Sequence, residues 1–168
     1  MSYEKNIYLV GFMGTGKSTV GRALADKTGK IFKDLDDIIE ERENKKIVDI
    51  FEEKGEEYFR RLESEVIEEV SKSKNYVVAT GGGAVVNPTN FQKLKESGVL
   101  ISLAASPEAI YERVKDSKDR PLLNVENPIE EIKRMMFERA YYYIKSDHII
   151  ETTDRSIEEI VEEILELI

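Results

Sequence analysis

Residues 11–19, Gly-Phe-Met-Gly-Thr-Gly-Lys-Ser-Thr, leave this chain few ways to fold. The spacing fits Gly-x-x-x-x-Gly-Lys-Ser/Thr at each fixed position. An apolar run, Ile7 to Val10, precedes it and a helical pattern, Lys17 to Lys27, follows. A buried strand that breaks into glycines and then into a helix is the context in which this motif wraps phosphate. Gly11, Gly14 and Gly16 let the backbone turn its N–H groups inward. The helix N-terminus adds its dipole, so Gly14, Thr15, Gly16, Lys17, Ser18 and Thr19 converge on one anion. Lys17 brings a full positive charge for the β- and γ-phosphates, and Ser18 an oxygen for Mg²⁺.

Composition narrows the partners. A net charge of −9 over 168 residues repels nucleic acid and anionic membrane surfaces, so any anion must meet a local positive cluster. There is no cysteine, which removes disulfides, thiolate nucleophiles and thiolate zinc sites and suits a reducing cytoplasm. His148 is the one histidine. A multi-histidine metal site is thereby excluded, and carboxylates become the expected proton acceptors. The N-terminus lacks a signal-peptide pattern, and no apolar stretch approaches the roughly 20 residues that span a bilayer. A cytoplasmic protein is the expectation.

After the first helix, with Val20, Ala23 and Leu24 inward, Lys30 to Asp36 reads as a short strand ending in Asp34-Leu35-Asp36. Side chains two apart share one side of a strand, so both carboxylates can emerge by the phosphate site, one near Mg²⁺ and one near an incoming hydroxyl. The alternative is that Asp36 or Asp37 only caps a helix over Ile38 to Glu43. Gly55 separates a short helix, 47–54, from a longer one over Glu56 to Ser71 with Phe59, Leu62, Val66 and Val70 inward. Arg60 and Arg61 flank that stripe, and spacing alone reads them by default as solvated surface partners of nearby glutamates. Tyr76 to Ala79 is a third strand. It runs into Gly81-Gly82-Gly83, either a flexible turn or a close approach of backbone to a ligand.

A helix over Pro88 to Ser97, a strand over Val99 to Leu103 and a helix from Pro107 to Lys115, capped by Ser106, come next. Residues 116–128 are polar and turn-rich and read as a mobile loop carrying Arg120. Ile129 to Tyr143 is helical, with Ile129, Ile132, Met136, Ala140 and Tyr143 on one face. Arg139 falls on that face too, so it needs a buried carboxylate or a bound anion. His148 to Glu151 is a fifth strand, and Ile157, Ile160, Val161, Ile164, Leu165 and Ile168 face inward from a final helix. The alternation predicts one domain, 1–168, with a parallel sheet covered on both faces.

Several of these separated stretches together resemble shikimate kinase, over essentially the entire chain. They are residues 11–21, Asp34-Leu35-Asp36, Gly-Glu-Glu-Tyr-Phe-Arg-Arg-Leu-Glu at 55–63, Gly-Gly-Gly-Ala-Val at 81–85 and Arg-Pro-Leu-Leu at 120–123. The resemblance implies a three-layer P-loop kinase fold with a central five-stranded parallel sheet, like that of nucleoside monophosphate kinases. It implies transfer of the γ-phosphate of ATP to the 3-hydroxyl of shikimate by a monomer that needs Mg²⁺. Asp36, Arg60, Gly82 and Arg139 would hold shikimate, largely from segment 36–63, and Ser18 with Asp34 would serve Mg²⁺. Arg120 would be the lid arginine over ATP, on the loop 116–128, and Arg113 and Arg155 would lie near the adenine. Lys17, Asp36 and Arg120 would form the catalytic set. One departure is Arg-Ala-Tyr-Tyr-Tyr at 139–143, where the family often has a proline two residues after the arginine. It leaves open which tyrosine takes the family position.

The chemistry agrees, because planar arginine forks bind a carboxylate such as that of shikimate bidentately. A P-loop hydrolase switch is the rival from another class. Its guanine-specific members carry Asn-Lys-x-Asp, and Asn44-Lys45-Lys46-Ile47 lacks the aspartate. A kinase for gluconate or a nucleotide is the nearer alternative.

Overall fold

The computed structural model describes residues 4–118 and 124–168. Five parallel strands form one sheet in the order β2-β3-β1-β4-β5, with β1 Asn6–Val10, β2 Ile31–Asp34, β3 Tyr76–Ala79, β4 Gly98–Ala104 and β5 His148–Glu151. Ile7 of β1 pairs with Val77 on one side and Val99 on the other, so the strand that feeds the phosphate loop is the middle one. It is buried along its whole length, as its unbroken apolar run requires in a sheet covered twice.

Alternation along β1 assigns the two faces. Ile7 and Leu9 pack with Val20 and Leu24 of α1 (Lys17–Thr28) and with Ile160, Val161 and Ile164 of α7 (Ile157–Leu167). Tyr8 and Val10 pack against α2 (Leu35–Glu43), α3 (Ile47–Ser71) and α4 (Pro88–Ser97). These are the two outer layers expected from the sequence. A third apolar cluster, Phe12 with Ile110 and Val114 of α5 (Pro107–Val114) and Ile132 and Met135 of α6 (Pro128–Tyr143), sits beside the loop after β1. Gly55 holds φ 82 inside α3, which breaks it into the two helical pieces the sequence predicts. Among the described residues no helix is long and apolar enough to cross a membrane.

Three expectations need correction. The second strand stops at Asp34 and Leu35 already starts α2, because the Asp34 side chain accepts from the N–H of Asp36 and caps the helix. The cap is therefore neither Asp36 nor Asp37. In α6 the buried face is Ile132 and Met135, while Ala140 is exposed and Phe137 is 85% exposed. Only one side of that helix meets α5, so the apolar stripe is narrower than the sequence suggests. In α7, Ile157 and Leu165 lie at the rim, 41% and 37% exposed.

Candidate active site

The carboxyl ends of parallel strands, beside the middle of the sheet, are where α/β proteins bind ligands. Here the loop after β1, the end of β2 and the glycines after β3 enclose a cleft of about 210 Å³. It is lined by Gly14, Gly16, Lys17, Ser18, Thr19, Asp34, Asp36, Gly81 and Gly82, among others. Gly16 takes φ 95 as the N-cap of α1, and no side chain caps that helix. Its first N–H groups thus face the cleft with the dipole behind them.

Thr15 contributes differently from its neighbours. It is 2% exposed and its hydroxyl donates to the Phe12 carbonyl at 2.8 Å, so its side chain closes the loop and only its backbone is placed to serve a ligand. Lys17 Nζ donates to the carbonyls of Gly11 and Phe12 at 2.8 and 2.9 Å, which parks the ammonium across the loop. Ser18 Oγ donates to Asp34 Oδ2 at 2.6 Å. A hydroxyl and a carboxylate in contact are hard oxygen donors. They fit Mg²⁺, which takes few protein ligands and keeps water and phosphate oxygens for the rest. Among the described residues no group of three or more His, Cys, Asp or Glu side chains could hold a metal by itself.

The glycine triplet explains the other half of the site. None of the three has the positive φ that would demand glycine for conformation. What they supply is room. A Cβ on Gly81 would lie 2.9 Å from Glu63 Oε2 and 3.3 Å from Asp36 Oδ1. One on Gly82 would lie 3.0 Å from Arg139 Nη1, and one on Gly83 2.6 Å from Arg60 Nη2. Asp36, Glu63, Arg139 and Arg60 therefore converge on three consecutive glycines. Gly83, Arg60, Glu63 and Arg139 line a second cavity of about 450 Å³.

Glu63 is the residue the sequence reading passed over. It is 1% exposed, Arg60 Nη1 donates to its Oε1 at 2.9 Å, and its Oε2 is buried without a hydrogen-bond partner. Burial pushes its carboxyl pKa up, and the Arg60 and Arg139 guanidiniums beside it pull it back down. The signal was legible: residue 63 is four after Phe59 and three before Val66, so an acid stands on the buried stripe of α3. The Arg139 guanidinium stands close enough to this carboxylate to act on it by charge, and it meets the Tyr143 hydroxyl. Arg139 also lies over the Phe12 ring, 5.6 Å from its centroid.

Arg113 and Arg155 do not line either cavity. Arg113 donates to the Gly14 carbonyl at 3.1 Å and the Thr152 carbonyl at 3.3 Å, tying the phosphate loop to the chain after β5. Arg155 donates to the Glu151 carbonyl at 2.9 Å and pairs with Glu163 of α7 at 2.6 Å. Both thus flank residues 151–152, on the outer side of the phosphate loop. Arg120 lies outside the described residues.

A phosphate loop on the middle strand, a hydroxyl–carboxylate pair for a hard cation and a separate pocket of paired arginines define a P-loop kinase for a small acidic acceptor. The sequence model of the shikimate kinase family matches residues 13–168, and the chain belongs to that family. A shikimate kinase of Persephonella marina is 50% identical over 161 residues, covering 96% of this chain and 97% of the other. The structure of a shikimate kinase from Acinetobacter baumannii in complex with shikimate is 39% identical, with a TM-score of 0.94 over 99% of this chain and 93% of that one. A gluconokinase from Sinorhizobium meliloti 1021 shares the fold alone, at 19% identity and a TM-score of 0.58 over 99% of this chain and 92% of that one.

Proposed function

We propose that the chain transfers the γ-phosphate of ATP to the 3-hydroxyl of shikimate, giving ADP and shikimate 3-phosphate. The observation that carries this is the convergence of Asp36, Arg60 and Arg139 on Gly81–Gly83, next to the phosphate loop. Two guanidiniums match the acceptor's carboxylate, and backbone without side chains lets the ring come close. Asp36 then stands between the acceptor and the nucleotide, where it orients the attacking hydroxyl and takes its proton. Lys17 leaves its loop carbonyls to follow charge developing on the β- and γ-phosphates. Ser18 and Asp34 are the residues that would hold Mg²⁺, which supplies charge neutralisation on the phosphates. Arg113 and Arg155 brace the edge of the nucleotide site and face the base. The proposal extends to a monomer acting in the cytoplasm. The test is the product: phosphorus NMR after incubation with Mg-ATP and shikimate should show a monoester coupled to the ring proton at C3. Free phosphate in its place would favour a hydrolase.

Arg60→Lys should raise KM for shikimate about tenfold and leave KM for ATP unchanged, since an ammonium cannot make the two parallel bonds of a guanidinium. Steady-state kinetics against each substrate decide it. The segment 116–128 with Arg120 closes over ATP in this scheme and excludes water. Amide exchange in 116–128 should slow when nucleotide and shikimate are both present; unchanged exchange would count against closure.

A further inference from the structure

The glycine loop has three carbonyls to satisfy, and the middle one finds a different kind of partner from the other two. Those of Gly81 and Gly83 accept from the N–H groups of Ala84 and Val86, within the single 3₁₀ turn that follows. The carbonyl of Gly82 accepts from the Tyr143 hydroxyl at 2.6 Å, across 61 residues of chain. Tyr143 is the last residue of α6 and stands one helical turn after Arg139, so the two side chains leave the helix on the same side. Its ring packs against both the cluster under α3 and the cluster between α5 and α6. Burial holds its hydroxyl pKa above the usual tyrosine range, which keeps the group a proton donor.

We propose that Tyr143 is a positioning residue for the acceptor: it ties the 82–83 peptide to α6, so that the glycine wall and the Arg139 guanidinium keep one spacing. The loop has no side chains of its own to fix it, and the 3₁₀ turn secures only its two flanks. A tyrosine four residues after the arginine performs the task here; Tyr141, 60% exposed, and Tyr142 do not make that bond. The proposal rests on the reading of this cleft as the shikimate side.

Tyr143→Phe keeps the ring packing and removes the hydroxyl that donates to the Gly82 carbonyl and meets the Arg139 guanidinium. Its KM for shikimate should rise about tenfold, the size expected for one hydrogen bond lost from a part-buried carbonyl. KM for ATP should stay at the wild-type value, and Tm should fall by no more than about 2–4 °C, the loss expected for one hydrogen bond in a domain of this size. Tyr141→Phe should match wild type in all three. A shikimate KM unchanged in Tyr143→Phe, or an equal rise in KM for both substrates, would overturn the positioning role while wild-type turnover with shikimate left the functional reading standing. Absence of shikimate-dependent turnover by the wild-type protein would overturn both.

Discussion

Lys17→Met is expected to lower kcat about 10²- to 10³-fold, the range found when one preorganised donor to a developing charge is removed. Methionine fills similar space along the loop but carries no charge, so the backbone cradle and the α1 dipole remain to bind nucleotide. KM for ATP should therefore change much less than kcat. The variant also loses the two bonds from Nζ to the Gly11 and Phe12 carbonyls. Those are partly exposed and contribute about 1 kcal/mol, which for a domain of this size lowers Tm by about 2–4 °C. Turnover near wild type in a protein with normal circular dichroism would remove Lys17 from the chemistry.

Asp36→Asn is expected to lower kcat about 10²-fold or more with little change in Tm. The structure sharpens this experiment, because Asp34 and not Asp36 caps α2. Asp36 lies in the first turn of the helix beside Asp37, so the loss of one favourable dipole interaction, about 0.3–1 kcal/mol, is offset by relief of crowding among like charges. Asparagine keeps the shape and an acceptor oxygen but cannot take a proton. A large fall in kcat with shikimate affinity retained identifies the base. A loss confined to affinity identifies a positioning role, and wild-type values for both would leave Asp36 no part in the reaction.

Most of the fold was legible because its signals are local. Continuous apolar runs at Ile7–Val10 and Val99–Leu103 can be buried only inside a doubly covered sheet, and the serine and proline at 106–107 start α5 as such a pair should. The loop after β1 was legible for the same reason, since residues 11–19 are contiguous in sequence, whereas Arg113 and Arg155 stand far from it in sequence and line neither cavity. The proposed acceptor side draws on α2, α3, the loop after β3 and α6, and no local pattern says that these meet. By spacing alone Arg60 is by default a surface partner of glutamates, and the family resemblance is needed to pair it with Arg139; its contact with the buried Glu63 is a tertiary fact. The alternation Asp34-Leu35-Asp36 imitates a strand, but a side-chain cap competes with the ladder and wins. The choice among three tyrosines at 141–143 depended on which hydroxyl reaches a carbonyl 61 residues away, a tertiary fact with no counterpart in spacing.

The central claim is that the phosphate loop serves an acceptor held by Asp36, Arg60 and Arg139 and does not serve water. ADP release from Mg-ATP, measured side by side with shikimate, quinate, gluconate, nucleoside monophosphates and no acceptor, tests it most directly. The account predicts fast, saturable release with shikimate and only a trace with the others. Equal release with no acceptor, or a faster rate with gluconate or a nucleotide than with shikimate, would contradict it.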